Sequence, residues 1–120
     1  NITVNLEAQE LQANYSTRYS GNFDLCRMNW TADFADPYTY LSMLLSNSTY
    51  NCSGINDPKY DALVKSKIQK RILKAFIIAH QAEQLAVGEQ FYIIPLYAMK
   101  SVNLVDPDIT GIRQIPVISG

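Results

Sequence analysis

The spacing of apolar positions changes several times along the chain, and each change predicts an element. Ile2, Val4 and Leu6 alternate with polar residues, the period of a half-buried strand. From Ala8 to Tyr19 the apolar positions fall four apart at Leu11, Tyr15 and Tyr19, which predicts a helix stopped by Gly21. Phe23 to Trp30 (FDLCRMNW) alternates imperfectly, as a strand buried on both faces does. At Asp36-Pro37 the period becomes helical again. Asp caps, Pro at the first helical position gives up no needed N–H, and Tyr38, Leu41, Leu44 and Leu45 form the buried stripe. Residues 47–56 (NSTYNCSGIN) are polar and turn-rich, hence a surface loop. Asp57-Pro58 repeats the helix-start device ahead of Tyr60, Leu63 and Val64. Lys70 to Val87 predicts the longest helix. Ile72, Phe76, Ala79, Glu83 and Ala86 run along its buried face, with Ile78, Ala82 and Leu85 beside them and Gly88 at its end. Phe91 to Met99 (FYIIPLYAM) predicts a strand at a sheet edge or broken at Pro95, which cannot donate to a ladder. Val102 to Val105 predicts a short strand, followed by turns at Asp106-Pro107 and Gly111.

Strands alternating with helices predict an α/β fold. In such sheets ligands meet the chain beyond the carboxyl ends of the strands. Trp30 to Asp36 occupies that position after the second predicted strand. The length of 120 residues suits one domain with one core, and 48% hydrophobic with 18% charged residues argues for a folded globule. A net charge of −1 gives no basic field for nucleic acid, so no nucleic-acid partner is expected. The chain opens inside a predicted strand and stops in half-apolar chain (IRQIPVISG), which reads as a piece of something longer. Cys26 and Cys52 fit no metal spacing and are expected as free thiols.

Catalytic readings find little support. His80 is the only histidine, mid-helix among Ile77, Ile78 and Ala79, and triads or zinc sites need partners that the sequence does not offer it. Asp33 and Asp36 make a conceivable acid and base pair, but Asp36 precedes Pro37 and is better explained as a cap. No phosphate loop or nucleophile motif is present, so no enzyme, cofactor or metal is expected. Lys65, Lys67, Lys70, Arg71 and Lys74 read as a solvated helix face, since no aromatic residues interleave with them. Glycosylation sequons begin at Asn1, Asn14, Asn29, Asn47 and Asn51, which leaves a glycosylated secreted interaction module as an alternative of another class. A glycan on Asn29 would crowd Trp30, which favours chance matches. Asp33, flanked by Trp30 and Phe34, is either a surface acid near a helix start or the counter-charge of a cationic ligand group. The residues alone leave both open.

NWTADFADPYTYL resembles the W-x-x-D-[YF]-x-D-P-x-[TS]-[FY]-L stretch of the family 5 extracellular solute-binding proteins, the oligopeptide- and dipeptide-binding receptors of ABC importers. NSTYNCSGINDPKYDALV and HQAEQLAVGEQFYIIPLY resemble two further stretches of that family, in the family's order. The resemblance implies that residues 1–120 are a single partial domain of a two-lobed, periplasmic-binding-protein-like fold. They would be the C-terminal part of its second lobe, with the last ~15 residues heading back to the first. It implies a peptide ligand, a membrane permease as partner, and an extracytoplasmic location, periplasmic or as a cell-surface lipoprotein. Asp33 would pair with the peptide's α-amino group. Asn29 and Thr31 would offer main-chain groups to the peptide as an added strand, and Trp30 and Phe34 would wall the cleft. Sibling receptors for nickel complexes, haem or oligosaccharides are the nearest alternative. Isolated from the rest of such a receptor, the chain is expected to self-associate.

Overall fold

The computed structural model describes residues 2–67, 72–100, 102 and 104–111. Helix α1 spans Leu11–Ser20, α2 Tyr38–Leu41, α3 Pro58–Lys67 and α4 Ile72–Glu83. A 3-10 turn, Ser42–Leu44, continues α2, and wider π-helical turns, Gln84–Glu89, continue α4. Among the described residues no helix is long and apolar enough to cross a membrane.

The helix boundaries follow from local chemistry. Glu10 caps α1 by accepting the Gln12 N–H at 3.2 Å. Gly21 ends it in the left-handed region, at φ 70°. The Gly21 N–H then donates to Arg18 and the Asn22 N–H to Thr17, the reversed pair of bonds that satisfies a helix's last carbonyls. The Asp-Pro starts act alike: Asp36 Oδ1 accepts the Tyr38 N–H at 2.7 Å and Asp57 Oδ1 the Lys59 N–H at 2.8 Å.

The core lies where α2, α3 and α4 meet. Leu41 and Leu45 pack against Tyr60 and Val64 of α3 and against Ala79, Ala82, Leu85 and Ala86. Tyr60 is fully buried and its hydroxyl donates to the Leu41 carbonyl at 2.8 Å. Burial, then the nearby Asp61 charge, push the Tyr60 phenol upward, so it stays protonated and keeps donating. Tyr92 follows the π-helical turns and fastens them to the start of α3, its hydroxyl donating to Asp57 at 2.9 Å.

Asp61 ties α3 to the loop before it. Its carboxylate accepts the Ser46 N–H at 3.0 Å and the Ser46 hydroxyl, and pairs with Lys65 at 3.1 Å. Burial pushes this carboxyl up, but the two Ser46 hydrogen bonds and the Lys65 ammonium outweigh it and hold the group below its ordinary 3.8. A depressed folded-state value means that the stabilisation is present above 3.8 and is lost as pH falls through the folded value. Thermal melts of the wild type are therefore expected to lose midpoint below about pH 4 more steeply than those of Asp61→Asn, which has no carboxyl to protonate.

The expected strands are the main correction to the sequence reading. Among the described residues no segment forms a β-strand: 2–6, 23–30 and 91–99 have no regular structure. The described part of 102–105 has none either. A strand exists only with a partner to complete its ladder, and an unpartnered apolar segment stays irregular however well it alternates. Ile2, Leu6, Leu25, Leu96 and Leu104 are accordingly all more than 70% exposed. One side-chain contact nevertheless joins two of these segments, the Arg27 guanidinium donating to the Tyr97 hydroxyl. The accessible surface is 10123 Å². A compact monomer of this mass exposes about 6500 Å².

Helix α4 also departs from expectation. Its alanines face α3, but Phe76 and Ile77 are more than half exposed. Gly88 lies within the π-helical turns rather than closing the helix, and the left-handed position falls at Phe91, φ 53°. Lys70 and Arg71, expected in this helix and in the basic run, lie outside the described residues. Lys65 is engaged with Asp61, and Lys74 is exposed.

Candidate functional site

A recess of about 390 Å³ opens between α1, the segment around Trp30 and the loop after α2. Helix α1 contributes Tyr15, Arg18 and Tyr19, the central segment Met28, Asn29, Trp30, Thr31 and Asp33, and the loop Tyr50 and Cys52. Four of the five residues singled out in the sequence thus line one space. Phe34 does not; it is half exposed beside Asp33.

Asp33 is held by its neighbour in α2. The Asp33 N–H donates to Thr39 Oγ1 at 3.1 Å, and the Thr39 hydroxyl donates back to Asp33 Oδ2 at 3.2 Å. Thr39 is 2% exposed, so its rotamer is fixed by packing, and it fixes the carboxylate in turn. Asp36, three residues on, spends its side chain on the helix start. The two acids are therefore separated by role: one caps, one faces the recess. Among the described residues, neither Asn29 nor Thr31 has its main-chain N–H or C=O bonded within the chain.

Sequence reasoning missed Arg18, Thr39 and Tyr50. Arg18 is 9% exposed, and its guanidinium carbon lies 4.6 Å from the centre of the Tyr15 ring. Tyr15 and Arg18 stand three apart in a predicted helix, where side chains meet, and that spacing was the available signal. Tyr50 meets Trp30 edge-on, ring centres 4.7 Å apart. Arg18 Nε and Trp30 Nε1 are both buried without a hydrogen-bond partner. A buried donor left unpaired costs about 1–3 kcal/mol. A cation and an anion lining one recess together with aromatic rings suit a ligand carrying both charges.

Other candidate groups stay apart from the recess. His80 is exposed on α4, with Nδ1 3.5 Å from Glu83. Cys26 and Cys52 are both free thiols; Cys26 lies 3.9 Å from the Asn14 amide and Cys52 lines the recess. Among the described residues no three His, Cys, Asp or Glu side chains gather to hold a metal.

No family model matches the sequence. Curated relatives do. The chain is 31% identical over 110 residues to the periplasmic murein peptide-binding protein MppA of Escherichia coli K12. It is also 31% identical over 112 residues to the periplasmic oligopeptide-binding protein OppA of Salmonella typhimurium. Each alignment covers 92% of this chain and 20% of the relative, so the chain spans about one fifth of their length. Among solved structures, the unliganded open form of the MppA murein tripeptide-binding protein superposes with a TM-score of 0.67 at 27% identity, over 70% of this chain and 16% of that one. The chain thus shares the periplasmic-binding-protein fold over a part of it, and its relatives by sequence and by structure are family 5 extracellular solute-binding proteins.

Proposed function

We propose that this chain is part of the extracytoplasmic receptor of a peptide importer, a non-enzymatic protein that captures peptides and hands them to an ABC transporter permease. The observation that carries this is the recess. Asp33, oriented by Thr39, offers a counter-charge for an α-ammonium. Arg18 offers one for a carboxylate. Asn29 and Thr31 offer free main-chain groups along which an extended peptide adds as a strand. Phe34, next to Asp33, shields that pair from water when the cleft closes. The names of the relatives support the ligand class and a periplasmic location.

The rest of such a receptor would supply what these residues lack. In this reading residues 1–120 are one partial domain, the C-terminal part of the second lobe, with the last ~15 residues returning to the first. Residues 2–6, 23–30 and 91–99 become strands of an α/β sheet once partners flank them. The Arg27–Tyr97 side-chain contact links two of them, and the rest of the receptor would cover the excess of exposed surface.

Mass spectrometry of ligand carried through purification of the full-length receptor tests this. Short peptides are the expected cargo, and a nickel complex, haem or an oligosaccharide would overturn the reading. Half a clamp also binds weakly. The isolated 120-residue chain is expected to bind peptides in the millimolar range or worse, about −4 kcal/mol or less favourable, and to self-associate through its exposed apolar segments. Calorimetry and sedimentation read both; micromolar peptide binding by a monomer would contradict the two-lobe account.

A further inference from the structure

The loop of residues 46–56 is built more firmly than a connection requires. The Asn51 amide donates to the carbonyls of Leu45 at 3.2 Å and Ile55 at 2.7 Å, and its Oδ1 accepts the Ile55 N–H at 3.0 Å. Backbone bonds from Ser48 to Leu45, Asn51 to Ser48 and Gly54 to Asn51 close successive turns. Asp61 clamps Ser46 at the near end, and Ile55 is buried at the far end. A loop fixed in this way keeps its shape before a ligand arrives, so binding loses less to ordering it.

What the loop holds in place is Tyr50. This residue is outside the helical core and 45% exposed, yet its ring stands at 64° to that of Trp30. Both rings line the recess that holds Asp33. A fixed edge-on pair leaves a corner bounded by the faces of its two rings. A third flat ring completes such a cluster, whereas a methyl group leaves most of it empty.

Resting on the peptide-binding reading above, we propose that Tyr50 determines specificity. With Trp30 it forms a side-chain subsite that selects peptides with an aromatic side chain close to the amino terminus held at Asp33. Asn51 does not touch the ligand; it positions Tyr50.

The test uses the full-length receptor and three tripeptides, Ala-Ala-Ala, Phe-Ala-Ala and Ala-Phe-Ala, with affinities measured by calorimetry. The wild type is expected to favour one of the two Phe peptides over Ala-Ala-Ala by about tenfold. Tyr50→Ala should bring that ratio to within about twofold of unity. Tyr50→Phe, which keeps the ring, should keep the ratio. Unchanged discrimination in Tyr50→Ala, or none in the wild type, overturns the assignment and leaves peptide binding standing. Failure of the wild type to bind any of the three overturns the peptide reading, and the subsite with it. Far-UV circular dichroism confirms that each variant is folded.

Discussion

Asp33→Asn in the full-length receptor is expected to lower affinity for a peptide with a free amino terminus by about thirtyfold to several thousandfold. The change preserves shape and removes charge. The ligand ammonium would then be desolvated in a closed cleft without its counter-ion, and truncating one member of such a pair costs about 2–5 kcal/mol. The Thr39 hydroxyl, which donates to Asp33 Oδ2, can still donate to the amide oxygen of Asn, so the segment should keep its place. An N-acetylated peptide gives the control. It should bind the wild type poorly and lose little more in the variant, which closes a double-mutant cycle between protein and ligand. Equal losses for free and acetylated peptides would mean that Asp33 holds structure and not the amine. Asp36→Asn should act mainly on the helix start, at up to about 2 kcal/mol of stability, with a smaller effect on binding.

The second large effect is expected at Tyr60. Tyr60→Ala removes a fully buried ring from the meeting point of α2, α3 and α4. Losses of this kind cost about 3–5 kcal/mol, a large part of the 5–15 kcal/mol typical of a domain. Tyr60→Phe keeps the ring and loses only the bond to the Leu41 carbonyl, at about 1 kcal/mol. Urea unfolding followed by circular dichroism should separate the two variants clearly. A Tyr60→Ala midpoint close to that of Tyr60→Phe would mean that the core collapses around the cavity and that packing there is loose.

The helical half of the fold was legible because its signals are local. Asp-Pro sets a helix start within three residues, Gly21 supplies its own left-handed backbone, and the Leu41, Leu45, Tyr60 and Val64 stripes needed only each other. The strands were not realised because their stability depends on edges far away in sequence, which alternation in Ile2, Val4 and Leu6 announces but does not supply. Helix α4 misled for a related reason. A helix with apolar residues on much of its circumference does not say which face its neighbour takes; here α3 takes the alanines, and Phe76 is left outside. Gly88 looked like a stop, yet Gln90 bonds to Leu85 and Tyr92 to Ala86, so the wider turns carry the chain past it. At the recess, Trp30 and Asp33 stood out as an unusual pair, whereas Thr39 acts across six residues by a contact that no periodicity encodes.

The uneven fastening of the chain has a thermodynamic consequence. Helices α2, α3 and α4 share one core, while the segment around Trp30 is tied to its surroundings chiefly by side chains: Asn14 on Cys26, Arg27 on Tyr97 and Trp30 on Tyr50. Opening free energies should therefore differ across the molecule. Amides in the middle of α3 and α4 should exchange with deuterium only through disruption of the core, and those of Asn29 and Thr31 almost without protection. Those fast amides are also the ones that an incoming peptide backbone would need, since an N–H already committed to a ladder cannot be offered to a ligand. In a peptide-loaded receptor their exchange should slow while that of α3 changes little. On the peptide-receptor reading, low local stability in this segment would be the condition for adding a strand, and the helical core would keep the fold while the segment stays open.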